Sequence, residues 1–144
     1  MPDKNALPML TDFKNHFALA ARVLMALLFL PEGISKISGF AATARYISAA
    51  GLPLPEFGVS YAIVVEVGGA LALLAGFQVR RVALSMAMFT LLTAFFFHKF
   101  WAAPPDQVFL QHIMFFKNMA IAGGLFMMVA FGAGSWSVDT RRAT

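Results

Sequence analysis

Glu66 stands about ten residues into an apolar stretch that runs from Phe57 to Val79. At that depth a carboxylate lies near the middle of a bilayer. Placing an acid or a base there costs about 2.5–3.5 kcal/mol, so such a group faces protein and has a partner or a task. Other polar residues fall in the same half of the expected bundle. Glu32 and Lys36 are four apart near the end of the first apolar segment, an order that suits an ion pair. His98 ends the third segment. Gln111, Phe115 and Asn118 share one stripe of the fourth, with His112 and Lys117 off that stripe. Lys117 must snorkel outward or find a carboxylate.

A carboxylate, an imidazole and an amide around a partly dry cavity make a proton-handling site. A quinone head group asks for the same parts: a donor for each carbonyl, a titratable partner and access from lipid. On that reading Glu66 accepts or relays a proton, and Lys36, His98 and Asn118 bind or polarise the head group. The plainer alternative is that Glu66 pairs with Lys36, Lys117 or a histidine only to permit its burial. Three histidines without close spacing and the absence of cysteine give no metal site, and no Cys-ligated cluster, disulfide or thiolate nucleophile. G-x-S-x-G, H-E-x-x-H and a phosphate-binding glycine loop are absent too.

The elements that must position these residues follow from composition. The chain has 144 residues, of which 12% are charged and 60% hydrophobic, too few charges to wet a soluble surface. The length allows four helical spans of about 20 residues each. They are expected at about 16–37, 57–79, 82–100 and 107–131. The fold class is therefore an all-α integral membrane four-helix bundle. Its domain covers 16–132, between polar tails at 1–15 and 133–144. The run 38–50 places Phe40, Ala44 and Ile47 at helical spacing, which predicts a short interfacial helix that Gly51 and the prolines of GLPLP end. Asp106 is expected to cap the fourth span.

Lys and Arg set the orientation. With both termini inside, that side carries Lys4, Lys14, Arg80, Arg81, Arg141 and Arg142, against Lys36, Arg45 and Lys99 outside. This predicts cytoplasmic termini, with Arg22 snorkelling to the inner surface. Basic residues confined to segment ends form no patch for nucleic acid, although the pI is near 9.9. Gly68, Ala72 and Gly76 recur every fourth residue, as do Ala120 and Gly124. Such stripes serve packing within the bundle or a homo-oligomer.

Arg22 followed by LMALLFLPEG, Gly33-x-x-Lys36, the GLPLP run at 51–55, Glu66 within EVGGALALLAG, the Arg80-Arg81 turn, His98 and Asn118 occur in an order that resembles the DoxX family of small four-span bacterial membrane proteins. The resemblance runs from about Ala20 to Gly132. It implies an inner-membrane protein that serves as a subunit or partner of a membrane oxidoreductase, with quinone as the ligand and no covalent cofactor. Lys36, Glu66, His98 and Asn118 would then matter at the quinone. The chain supplies no redox centre of its own, so electrons would come from a partner or a substrate. Two further readings stay open: a non-catalytic anchor or assembly factor whose polar residues satisfy one another, and a small oligomeric transporter.

Overall fold

The computed structural model describes residues 6–142, with side chains from residue 13 to residue 141. Lys4 and the rest of the first five residues, residues 143–144 and the side chain of Arg142 lie outside the described residues. Every regular element among them is helical, and four helices are long and apolar enough to cross a membrane.

The first helix is Ala6–Ser38, and its apolar part is Phe13–Ser38. It begins well before the expected residue 16. Its first polar turns stay helical, and Asn15 there has a structural role: its Oδ1 accepts a hydrogen bond from the Ser135 N–H at 3.0 Å. Pro31 sits inside the helix without ending it. A short helix, Phe40–Ala49, follows, and its buried Ala44 and Ile47 pack with Val59 of the next span. Gly51, at φ 77°, ends it.

The second span is Pro55–Ala75, with proline at the first helical position, where its missing N–H costs nothing. Its middle, Val64–Gly68, is a π turn. The span stops four residues short of expectation because Gly76, at φ 70°, closes it. Phe77 N–H donates to Ala72 C=O and Gly76 N–H to Leu73 C=O, the paired bonds of a glycine-terminated helix.

The third span begins with Val79 and its helix runs to Phe97; the fourth is Val108–Phe131. Asp106 does not cap the fourth span. Gln107 precedes the helix without a side-chain cap, and the Pro104 carbonyl receives the N–H groups of both Gln107 and Val108. Chain direction puts both described ends of the molecule on one face and the short helix on the other.

The core between the spans is built largely of small residues: Ala26, Ala70, Ala83, Ala87, Ala94 and Ala122 are all buried. Without a hydrophobic drive between helices in lipid, close approach of this kind supplies the packing. A Cβ on Gly69 would meet Met86 Sδ at 2.7 Å, and one on Gly124 would meet Met25 Cε at 2.7 Å. Gly68, expected in the packing stripe, instead is exposed with open space around it, because the inward face of this helix runs through Gly69, Ala70 and Leu73. Large apolar side chains such as Phe57, Leu71, Phe109 and Met127 cover the outside.

Candidate functional site

Two helices make the site. The first span brings Gly33 against the π turn of the second. A Cβ on Gly33 would lie 2.6 Å from Val67 Cγ2, 2.9 Å from Glu66 Cβ and 3.0 Å from the Val67 nitrogen. Only glycine permits this contact, and it sets the spacing of the groups one turn away. Lys36, three residues on, places its Nζ 2.9 Å from Glu66 Oε2. The contact is a close ion pair.

Glu66 is 6% exposed. Lys36 is half-buried and also reaches toward the rim: its Nζ donates to the Glu32 carbonyl at 3.3 Å and lies 3.8 Å from the Glu32 carboxylate, which is mostly exposed. The three residues thus form a line from mid-depth to the surface: a buried acid, a cation that touches it, and an outer acid. A π turn often marks a functional position, because the wider turn disturbs the regular backbone ladder. Here it carries the acid.

His98 and Asn118 take other partners. His98 Nδ1 lies 3.0 Å from Gln111 Oε1, so the imidazole donates there while the amide oxygen accepts. This bond ties the end of the third span to the start of the fourth. Asn118 is buried and its Nδ2 donates to Thr93 Oγ1 at 3.4 Å. Thr93 in turn donates to the Thr90 carbonyl at 2.8 Å. The four expected site residues therefore divide into one shared pair, Lys36–Glu66, and two contacts between the third and fourth spans. Lys117 is exposed and its Nζ donates to Met114 Sδ at 3.1 Å, one turn toward the start of the fourth span, the nearer end, as snorkelling requires. Among the described residues no cluster of three or more His, Asp or Glu could hold a metal ion.

The opposite face holds a second polar system that the sequence pattern did not reveal. Arg22 does not snorkel. It is 1% exposed, and its guanidinium donates to the carbonyls of Leu73 at 3.1 Å, Leu74 at 3.4 Å and Trp136 at 2.6 Å. It thereby adds a charged donor to carbonyls at the end of the second span, at Leu73 beside the Gly76 N–H. Asp139, in the segment expected as a free tail, accepts from Gln78 N–H at 2.6 Å and Val79 N–H at 2.9 Å, which starts the third span early. Arg80 donates to the carbonyls of Val129 at 2.6 Å and Ala130 at 2.7 Å, closing the fourth span. A warning was present in the sequence: a lone arginine in an apolar run, with a glycine-ended helix as its neighbour, has carbonyls to find.

The DoxX family model matches residues 17–99, more than half of the chain. The chain belongs to the DoxX family. The match takes in Arg22, Gly33, Lys36, Glu66 and His98, and stops before the fourth span and Asn118. Inner membrane protein YqjF of Escherichia coli strain K12 is 43% identical over 121 residues, covering 84% of this chain and 88% of that protein. Inner membrane protein YphA of the same organism is 35% identical over 123 residues, covering 85% and 88%. Surfeit locus protein 4 homolog of Schizosaccharomyces pombe is 24% identical over 131 residues, which is 90% of this chain but 38% of that longer protein. No solved structure matches.

Proposed function

We propose that this DoxX protein is an inner-membrane partner of an oxidoreductase and supplies it with a proton-accepting site at Glu66. The observation that supports the reading is the pair of buried Glu66, carried on a π turn, with half-buried Lys36, continued to the rim by Glu32. A buried ion pair contributes little net stability, because desolvation offsets the attraction. Helix packing alone does not need one at this depth.

Quinone is the substrate class that suits the chemistry. Reduction to quinol takes two electrons and two protons. The electrons would come from the partner; Lys36 would donate a hydrogen bond to a quinone oxygen, and Glu66 would pass the two protons in turn, reloaded each time from water at the rim beside Glu32. Both termini would face the cytoplasm, which puts the site in the outer half of the membrane. His98 and Asn118 would act at the head group only if the spans part to admit it, since each is engaged across the third and fourth spans.

The test is quinol formation in membranes with and without Glu66→Gln, with the amount of protein held equal. The expected result is a loss of at least tenfold, as removal of a positioned proton donor or acceptor typically costs about 10²–10⁴. Unchanged quinol formation would end the proton role.

One observation favours a second reading, that of a non-catalytic anchor. The two open cavities described, of about 480 and 400 Å³, lie at the two ends of the bundle, and Glu66 lines neither. An anchor would retain its partner protein when Glu66 is changed, whereas the quinol assay would show no effect.

A further inference from the structure

We propose that the pocket beside Arg80 and Arg81 binds the phosphate of an anionic phospholipid. The pocket is the cavity of about 480 Å³ on the face where the chain ends, and Phe131, Gly132, Asp139 and Thr140 also line it. This site is separate from Glu66 and owes nothing to the oxidoreductase reading.

Arg80 is aimed rather than free. Its Nη1 is spent on the carbonyls of Val129 and Ala130. That leaves the other edge of the guanidinium, Nε with Nη2, running past Gly132. A Cβ on Gly132 would lie 3.2 Å from Nε, 3.4 Å from Nη2 and 3.5 Å from Cζ, so the missing side chain leaves this part of the guanidinium uncovered. Two parallel N–H groups on a rigid plane match two phosphate oxygens. Arg81 adds a second cation, exposed and with a 3.4 Å bond to Gln78 Oε1.

Among the described residues the acid in the pocket forms no ion pair with Arg80 or Arg81. Both oxygens of Asp139 accept backbone N–H groups of the third span, Oδ1 from Gln78 and Oδ2 from Val79. The helix start is therefore already occupied, and the incoming anion is left to the arginines.

The apolar side of the pocket points to a lipid rather than free phosphate. Phe131 is 74% exposed, and Met127 and Phe126 on the same span are exposed below it. A phosphate on the arginines would have its acyl chains laid along this surface. With the termini cytoplasmic, as proposed above, this positive charge would also meet the anionic lipid of that leaflet.

The experiment is native mass spectrometry of the full chain released from mild detergent, with phosphatidylglycerol and phosphatidylcholine offered in equal amounts. Wild type should hold phosphatidylglycerol in preference, and Arg81→Gln should lose about fivefold of that preference, the worth of one cation near the headgroups. Arg80→Lys, which keeps the charge and loses the paired N–H edge, should lose at least as much. Lys14→Gln, on the same face but outside the pocket, should leave the preference unchanged. Equal retention of both lipids would overturn the proposal, as would an equal effect of Lys14→Gln. Inorganic phosphate that displaces phosphatidylglycerol at equal concentration would overturn the lipid assignment.

Discussion

Gly33→Ala tests how the Glu66 site is held. The new methyl would sit 2.6 Å from Val67 Cγ2 and 2.9 Å from Glu66 Cβ, where carbon atoms ordinarily rest about 3.5–4.0 Å apart. Backbone lies just behind at 3.0 Å, so a rotamer change cannot absorb the clash. The first two spans must part by about 1 Å, and overpacking of this kind costs about 1–3 kcal/mol. The Lys36–Glu66 separation would grow from 2.9 Å to about 3.9 Å. With an effective dielectric constant of about 20, the attraction falls from about 5.7 to about 4.3 kcal/mol, a loss of about 1.4 kcal/mol.

Only that last part depends on the charge of Glu66, so a double-mutant cycle separates it. Unfolding in mild detergent would be measured for wild type, Gly33→Ala, Glu66→Gln and the double variant. Gly33→Ala should cost about 1 kcal/mol less in the Glu66→Gln background than in wild type. An equal cost in both backgrounds would refute the claim that Gly33 sets the ion pair, and would leave it a packing residue only.

Other perturbations follow from the same contacts. Lys36→Met strands a buried carboxylate and should destabilise the protein by about 3–5 kcal/mol, while Lys36→Met with Glu66→Leu should recover most of that loss in the same unfolding assay. Arg22→Leu leaves the Leu73 and Trp136 carbonyls without their charged donor and should cost about 2–4 kcal/mol, with Arg22→Lys intermediate because one ammonium cannot span both; thermal unfolding checks the ranking. Asp139→Ala removes the cap of the third span and should lower stability by about 1–2 kcal/mol, with faster amide exchange at Gln78 and Val79.

The four spans were legible because each is a long apolar run with its punctuation at the ends. The short helix after the first span was legible in the spacing of Phe40, Ala44 and Ile47. The partner of Glu66 was one of several candidates in the sequence; Gly33 decides it by letting the first span approach Glu66 and Val67 directly. The π turn left no trace, since its residues, VVEVG, would serve an α-helix equally well. The residues at 133–144 read as a solvated tail because they are polar, yet Ser135 and Trp136 bond to the first helix and Asp139 to the start of the third span. Hydropathy cannot register that kind of bond. The same blindness turned Arg22 into a snorkelling residue, when the carbonyls of a neighbouring helix end were the nearer polar groups.

Quinone content is the most direct measure of the proposed chemistry. The protein would be extracted from its own membranes in mild detergent, and quinone per chain would be counted by mass spectrometry for wild type and for a Glu66→Gln, His98→Ala variant of matched stability. Near-stoichiometric quinone in wild type, lost in the variant, is the expected result. Quinone that is absent from both, or retained equally by both, would contradict a quinone site at Lys36 and Glu66.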